Sequence, residues 1–144
     1  MRDVDVIVVG AGPTGTVLTG LLAQRGLRVA AFDRALDIYP KPRAIGCDHE
    51  FMRVLQELGV AGRVLPHTAL YRPSEYHGAS GQLIKRMDMA PPPWRLGWAP
   101  NYVFDQPALD RALRDRVGEL ECAQLHLGAE VVASGEAGEG VWAD

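Results

Sequence analysis

The chain has 144 residues, 47% of them hydrophobic and 23% charged, with a formal net charge of −3. That balance suits one globular domain and excludes a basic surface for nucleic acid or anionic membrane. No apolar run approaches the roughly 20 residues needed to cross a bilayer, and the start runs into a strand without a signal-peptide layout. The two cysteines, Cys47 and Cys122, lack C-x-x-C spacing, and the four histidines lack paired ligand spacing. Free thiols, a cytoplasmic location and no metal site are therefore expected.

Residues 4–9 form a continuous, mainly β-branched run that predicts a strand buried on both faces, as in a parallel sheet. A turn over 10–15 leads into a helix over 13–25, with Val17, Leu18, Leu21 and Leu22 at helical spacing and Gly26 as its stop. A second strand over 27–32 ends at Asp33, completing a β-α-β unit. Pro40 and Pro42 mark the next stretch as loop. Asp48 then caps a helix to about Leu58, with Phe51, Val54, Leu55 and Leu58 on one face and His49 as an exposed neighbour of the cap. Residues 69–89 predict a hairpin around the turn at 78–81, and residues 90–100 an irregular proline-rich connection. Asp105 caps a helix carrying Pro107 in its first turn and Leu109, Ala112, Leu113 and Val117 as its apolar stripe. A strand over 123–128 and two strands around the turn near 138 complete the chain.

The turn carries the chemistry. "IVVGAGPTG" places Gly10, Gly12 and Gly15 as G-x-G-x-x-G between a strand and a helix. Gly10 permits the sharp turn, Gly12 a close backbone approach to a pyrophosphate, and Gly15 tight helix–strand packing. The helix start, which runs through Ala11, Pro13 and Thr14, offers a partial positive charge and free N–H groups from its residues other than Pro13. Asp33 stands where a carboxylate accepts hydrogen bonds from an adenosine ribose, and it disfavours a 2′-phosphate. Arg34 beside it can meet a phosphate or stack on the adenine. The spacing leaves NAD and FAD open.

The segment "FDRALDIYPKPRAIGCDHEFMRVLQELGV" resembles the class A flavoprotein aromatic hydroxylases, which share the fold of para-hydroxybenzoate hydroxylase. It looks most like the branch containing 3-(3-hydroxyphenyl)propionate hydroxylase. Pro42, Arg43 and Ala44 match the family's Pro-Arg-Ala loop, and "FDQPALDRALRDRV" matches its later helix, which opens on Gln106. The resemblance implies FAD, with its ADP half on the glycine turn and Asp33. It also implies that Arg43 and Ala44 lie on the flavin side, and that Gln106 offers donor and acceptor to the ribityl hydroxyls. The implied fold class is α/β, a Rossmann-like FAD-binding β-α-β unit with a parallel sheet plus a small β-hairpin insertion, incomplete at the C-terminus. Residues 1–144 are expected to be the N-terminal part of an FAD-binding domain, because two downstream family motifs, one with Asp-Gly and one with Gly-Asp, are not found. Two departures stand out. Thr19 replaces a customary Gly or Ala, and Asp33 replaces a customary glutamate.

The implied activity is that of a monooxygenase. NAD(P)H, a transient reductant, reduces FAD; dioxygen then gives a flavin hydroperoxide; one oxygen passes to a phenolic ring and water leaves. The partners are a small aromatic substrate and dioxygen, and a homodimer is one assembly compatible with this. No side chain in the chain reads as a catalytic acid, base or nucleophile, and the 144 residues alone are expected to be inactive. Tyr71, Tyr76, Trp94 and Trp98 suit either a ring pocket or core packing. The alternatives are another flavoprotein oxidoreductase, such as a polyketide hydroxylase, and a non-catalytic dinucleotide-binding module.

Overall fold

A computed structural model describes residues 4–144. In chain order the elements are β1 (Val6–Val9), α1 (Pro13–Gln24), β2 (Val29–Asp33), β3 (Gly46–Asp48), α2 (His49–Leu58), α3 (Ala61–Val64) and β4 (Thr68–Leu70). There follow β5 (Ser74–His77), β6 (Leu83–Met87), β7 (Asn101–Phe104), α4 (Gln106–Gly118), β8 (Ala123–Leu127), β9 (Ser134–Ala137) and β10 (Gly140–Ala143).

The parallel sheet runs β1-β2-β8, with Val6 opposite Val29 and Val29 opposite Ala123. Its centre is β2, where Val29, Ala30, Ala31 and Phe32 are all buried. The expectation that the first strand is buried on both faces does not hold. Within β1 only Val8 is buried, and Val9 is 63% exposed. Among the described residues β1 has one strand neighbour, whereas β2 is flanked on both edges and buried along Val29 to Phe32.

The larger core lies beside this sheet. Met52, Leu55 and Leu58 of α2 meet Leu109, Ala112 and Leu113 of α4, with Val17 and Leu21 of α1 packed against them. The tight contact between α1 and α2 runs through Gly20, where an added Cβ would stand 2.6 Å from Leu58 Cδ1. Thr19 is fully buried and donates its hydroxyl to the Gly15 carbonyl at 2.7 Å, so the helix absorbs the polar group itself. Asp48 caps α2 by accepting the Phe51 N–H at 2.8 Å. Its neighbour His49 is half-buried rather than exposed, because it already sits in the first turn.

A second sheet, β3-β7-β4, is antiparallel. The loop expected around Pro40 and Pro42 ends sooner than its prolines suggest, because residues 46–48 pair with β7, Cys47 opposite Tyr102. Three residues are too few to show a period-2 pattern. The hairpin expected around 78–81 is β5–β6, and the C-terminal pair is β9–β10.

Gly15 is the position most intolerant of a side chain. A Cβ there would lie 1.8 Å from the Gly10 carbonyl oxygen, a backbone atom that cannot rotate away. Gly15→Ala is expected to destabilise the fold by about 2 kcal/mol in urea or thermal unfolding. Gly118→Ala, where a Cβ meets nothing within 4 Å, is expected to cost nothing or to stabilise slightly.

Candidate dinucleotide-binding site

The turn between β1 and α1 is built from backbone polar groups, and the fate of each one defines the site. Gly10 adopts φ +98°, which only glycine tolerates easily, and its N–H donates to Phe32 O at 2.7 Å. The Ala11 N–H donates to Asp33 Oδ2 at 2.7 Å. The Ala11 carbonyl accepts the Thr16 hydroxyl at 3.1 Å and Arg114 Nη2 at 3.4 Å. A trans peptide places its N–H opposite its C=O, so holding the Ala11 carbonyl aims the Gly12 N–H the other way. That N–H has no hydrogen-bond partner among the described residues. The first-turn N–H groups of Thr14 and Gly15 lack acceptors within the helix, and they lie at the positive end of its dipole. A Cβ added at Gly10 or Gly12 would meet nothing within 4 Å, so the outer face of the turn is an open cradle of donors.

A cleft of about 570 Å³ opens over this turn. Among the residues singled out by sequence, Gly10, Ala11, Gly12, Asp33, Arg34 and Arg43 line it. Pro13, Ala44 and Gln106 line an adjoining pocket of about 470 Å³ that also contains Cys47 and Phe104. Thr14 and Gly15 line neither and act from the first turn of α1. A larger groove of about 930 Å³ runs along α2 past Arg53 and Trp98, but it shares no residue with the glycine turn. The smaller cleft is the one the backbone donors face, and size does not decide between them. Trp94 and Trp98 pack against the α2–α4 core, while Tyr76 is exposed, so these aromatics do not form one ring pocket.

Asp33 does more than wait for a ribose. Its Oδ1 accepts the Ala35 N–H at 2.8 Å while Oδ2 holds Ala11, leaving one acceptor site on each oxygen. The shorter side chain, compared with glutamate, keeps the carboxylate at the strand end where both backbone groups converge. Arg34 is 80% exposed and stands 3.9 Å from Glu130 across the cleft mouth. The Arg43 guanidinium lies over the Tyr39 ring, 5.6 Å from its centroid, a cation–π geometry that restrains an otherwise exposed side chain.

Gln106 is only 5% exposed, and its Oε1 accepts two backbone N–H groups, from Arg43 at 2.7 Å and from Ala44 at 2.8 Å. The acceptor half of the role expected for it is therefore already spent on pinning the Arg43 loop to α4. Its amide remains, and it acts on the Asp110 carboxyl, favouring the charged form. Asp110 and Arg114 also line the cleft, and the sequence reading missed both. The signal was present. Gln106, Asp110 and Arg114 recur every four residues, a polar line beside the apolar stripe of the same helix. Burial pushes the Asp110 carboxyl above the usual range, opposed by Arg114, Arg43 and Gln106. Burial, then Asp48, pushes the Cys47 thiol up, which disfavours a thiolate nucleophile. Among the described residues no group of His, Cys, Asp and Glu is placed to hold a metal ion, and no helix is long and apolar enough to cross a membrane.

A parallel β-α-β unit whose glycine turn, helix start and strand-end acid all face one cleft defines a dinucleotide-binding α/β protein. The chain belongs to the FAD-binding domain family, whose pattern matches residues 3–144. Its cofactor is FAD, and the open cradle and its donors fit that group. The chain is 36% identical over 126 residues to a 3-(3-hydroxy-phenyl)propionate/3-hydroxycinnamic acid hydroxylase of Mycolicibacterium gilvum, covering 88% of this chain and 22% of that protein. It is 34% identical over 130 residues to a probable NADH-specific resorcinol 4-hydroxylase of Rhodococcus jostii, covering 90% and 24%. Among solved structures, the flavin-dependent monooxygenase PieE in complex with FAD and substrate superposes with a TM-score of 0.79 at 24% identity, covering 97% of this chain and 26% of that one. The p-nitrophenol 4-monooxygenase PnpA of Pseudomonas putida gives 0.79 at 19%, covering 94% and 34%. The chain spans about a quarter of the length of the curated relatives it matches.

Gln106→Leu keeps the size of the side chain but strands two backbone N–H groups. It is expected to lower stability by about 2 kcal/mol and to release the loop, so that trypsin cuts after Arg43 faster than in the parent. Equal cleavage rates would show that the loop is held by other means.

Proposed function

We propose that this chain is the FAD-binding part of an NAD(P)H-dependent flavoprotein monooxygenase that hydroxylates a phenolic aromatic compound with dioxygen. Residues 1–144 serve as the N-terminal part of its FAD-binding domain, in the cytoplasm, a compartment that suits the free Cys47 and Cys122. The names of the curated relatives, hydroxylases of hydroxyphenyl acids and of resorcinol, support the substrate class. One observation carries the cofactor placement: the unpartnered Gly12 N–H and the start of α1 face a cleft with the Asp33 carboxylate at its foot.

In this reading the diphosphate lies on Gly12, Thr14 and Gly15, whose N–H groups and helix dipole meet its charge. The adenosine ribose hydroxyls use the free acceptor sites of Asp33, and Arg34 lies over the adenine. Arg43 and Ala44 sit on the flavin side, with Gln106 holding their loop in place. The bound flavin supplies the redox and oxygen chemistry; the chain binds, orients and shields it.

Gly12→Val tests the placement cleanly. The residue has φ −77° and ψ −175°, which valine accepts, and a Cβ there meets nothing, so the variant is expected to fold like the parent. Its branched side chain fills the cradle. The parent is expected to purify yellow, with absorption near ~450 nm released as FAD on denaturation, and the variant colourless, melting at the temperature of the flavin-stripped parent. A variant that retains flavin would sink the placement. A colourless parent stabilised by NAD and not by FAD would point to a nicotinamide enzyme instead.

A further inference from the structure

The polar line on α4 holds atoms that the fold itself does not satisfy. Asp110 is 7% exposed and lines the cleft, yet its Oδ1 has no hydrogen-bond partner. Arg114 lines the same cleft, and its buried Nε and Nη1 have none either. The two opposite charges stand one helical turn apart, the usual spacing for an ion pair, but the structure shows no hydrogen bond between them. Arg114 instead sends Nη2 to the Ala11 carbonyl. A buried acceptor and buried donors left idle beside a cleft call for a ligand, because each costs stability while it is unmet.

The chemistry of the two orphans differs. An idle carboxylate oxygen seeks a hydroxyl or N–H donor; an idle guanidinium seeks an anion. A flavin dinucleotide offers both in succession, a diphosphate continued by a polyol chain. We propose that α4 carries two further residues of the cofactor site: Arg114, a positioning residue that turns the Ala11–Gly12 peptide towards the diphosphate and adds its charge there, and Asp110, which accepts a hydroxyl of the polyol. This rests on the FAD placement given above. It adds one face of α4 to the lining of the cleft that Asp33 also lines. Gln106 already fixes the Arg43 loop from the same helix, so α4 ties both cofactor-facing loops to one rigid element.

The raised pKa of Asp110 gives the test its control. A carboxyl whose folded-state pKa is raised favours the fold below its unfolded value and loses that contribution as pH rises through the folded value. Above its folded-state value the ionised group weakens the apo fold, so Asp110→Asn is expected to melt at the same temperature as the parent or higher. Two ligands separate the roles. FAD has the adenosine diphosphate and the polyol, whereas ADP has the adenosine diphosphate without the polyol. Titrations of the purified chain are expected to show Asp110→Asn weakening FAD roughly 10-fold while ADP stays within about twofold of the parent. Arg114→Met is expected to weaken both ligands roughly 10-fold, with Arg114→Lys restoring most of the loss and the salt dependence of binding.

Asp110→Asn binding FAD like the parent, or losing FAD and ADP equally, overturns the hydroxyl assignment. Arg114→Met binding ADP like the parent, or Arg114→Lys failing as badly as Met, overturns the diphosphate assignment. Should Arg114→Met not fold, the FAD-to-ADP contrast at Asp110→Asn and the Lys variant still decide. A parent that binds neither ligand overturns the cofactor placement itself, and this proposal with it, a result distinct from any seen only in the variants.

Discussion

The orientation of one peptide plane, between Ala11 and Gly12, governs what this fold can offer a ligand. Two side chains from two helices hold it directly, and a third fixes the peptide before it. Thr16 on α1 and Arg114 on α4 both donate to the Ala11 carbonyl, while Asp33 at the end of β2 takes the Ala11 N–H of the Gly10–Ala11 peptide. Rotating that plane by half a turn would point a carbonyl into the cleft and replace attraction for an anion by repulsion. A glycine turn alone is conformationally loose; here its looseness is removed by contacts that the sheet, the first helix and a distant fourth helix must all supply. The site therefore exists only when the parallel sheet and the α2–α4 core are both assembled.

Much of this was legible from residue spacing. The β-α-β unit, the helix caps at Asp48 and Asp105, and the hairpin around 78–81 rest on local signals, meaning glycine position, short polar caps and periodicity, and each stands in the structure. What failed to show was non-local. The three-residue β3 has no pattern of its own and exists because β7, more than fifty positions later, gives it a partner. The run of β-branched residues implies a fully buried β1, but such a run does not reveal how many neighbours β1 has. It has one, and Val9 is left open.

The site shows the same division. Gly10, Ala11, Gly12 and Asp33 lie together as their spacing implies, because strand, turn and strand end are adjacent by construction. Gln106 was found by resemblance, yet its place in the structure is inward, on the backbone of the Arg43 loop. Asp110 and Arg114 were passed over because charged residues on a helix are usually a solvated face. They became visible only once packing showed that this face is turned to the glycine turn rather than to water.

Their cost to the fold is informative. A sequence shaped for stability alone would place apolar residues, or a closed ion pair, at two positions that meet a packed interior. Here a carboxylate is buried with an oxygen unmet and a guanidinium with two nitrogens unmet. Each remains able to hydrogen-bond because neither has spent its capacity on the other. The apo fold therefore retains unmet polar groups at the cleft, and a ligand that satisfies them recovers that cost on binding. Binding and folding are coupled in this way: a dinucleotide that meets these groups adds to the stability of the fold. The same reasoning explains why the Arg43 loop is anchored by a neutral amide. Gln106 satisfies two backbone donors without adding a charge, leaving the field in the cleft to the arginines and acids that face it.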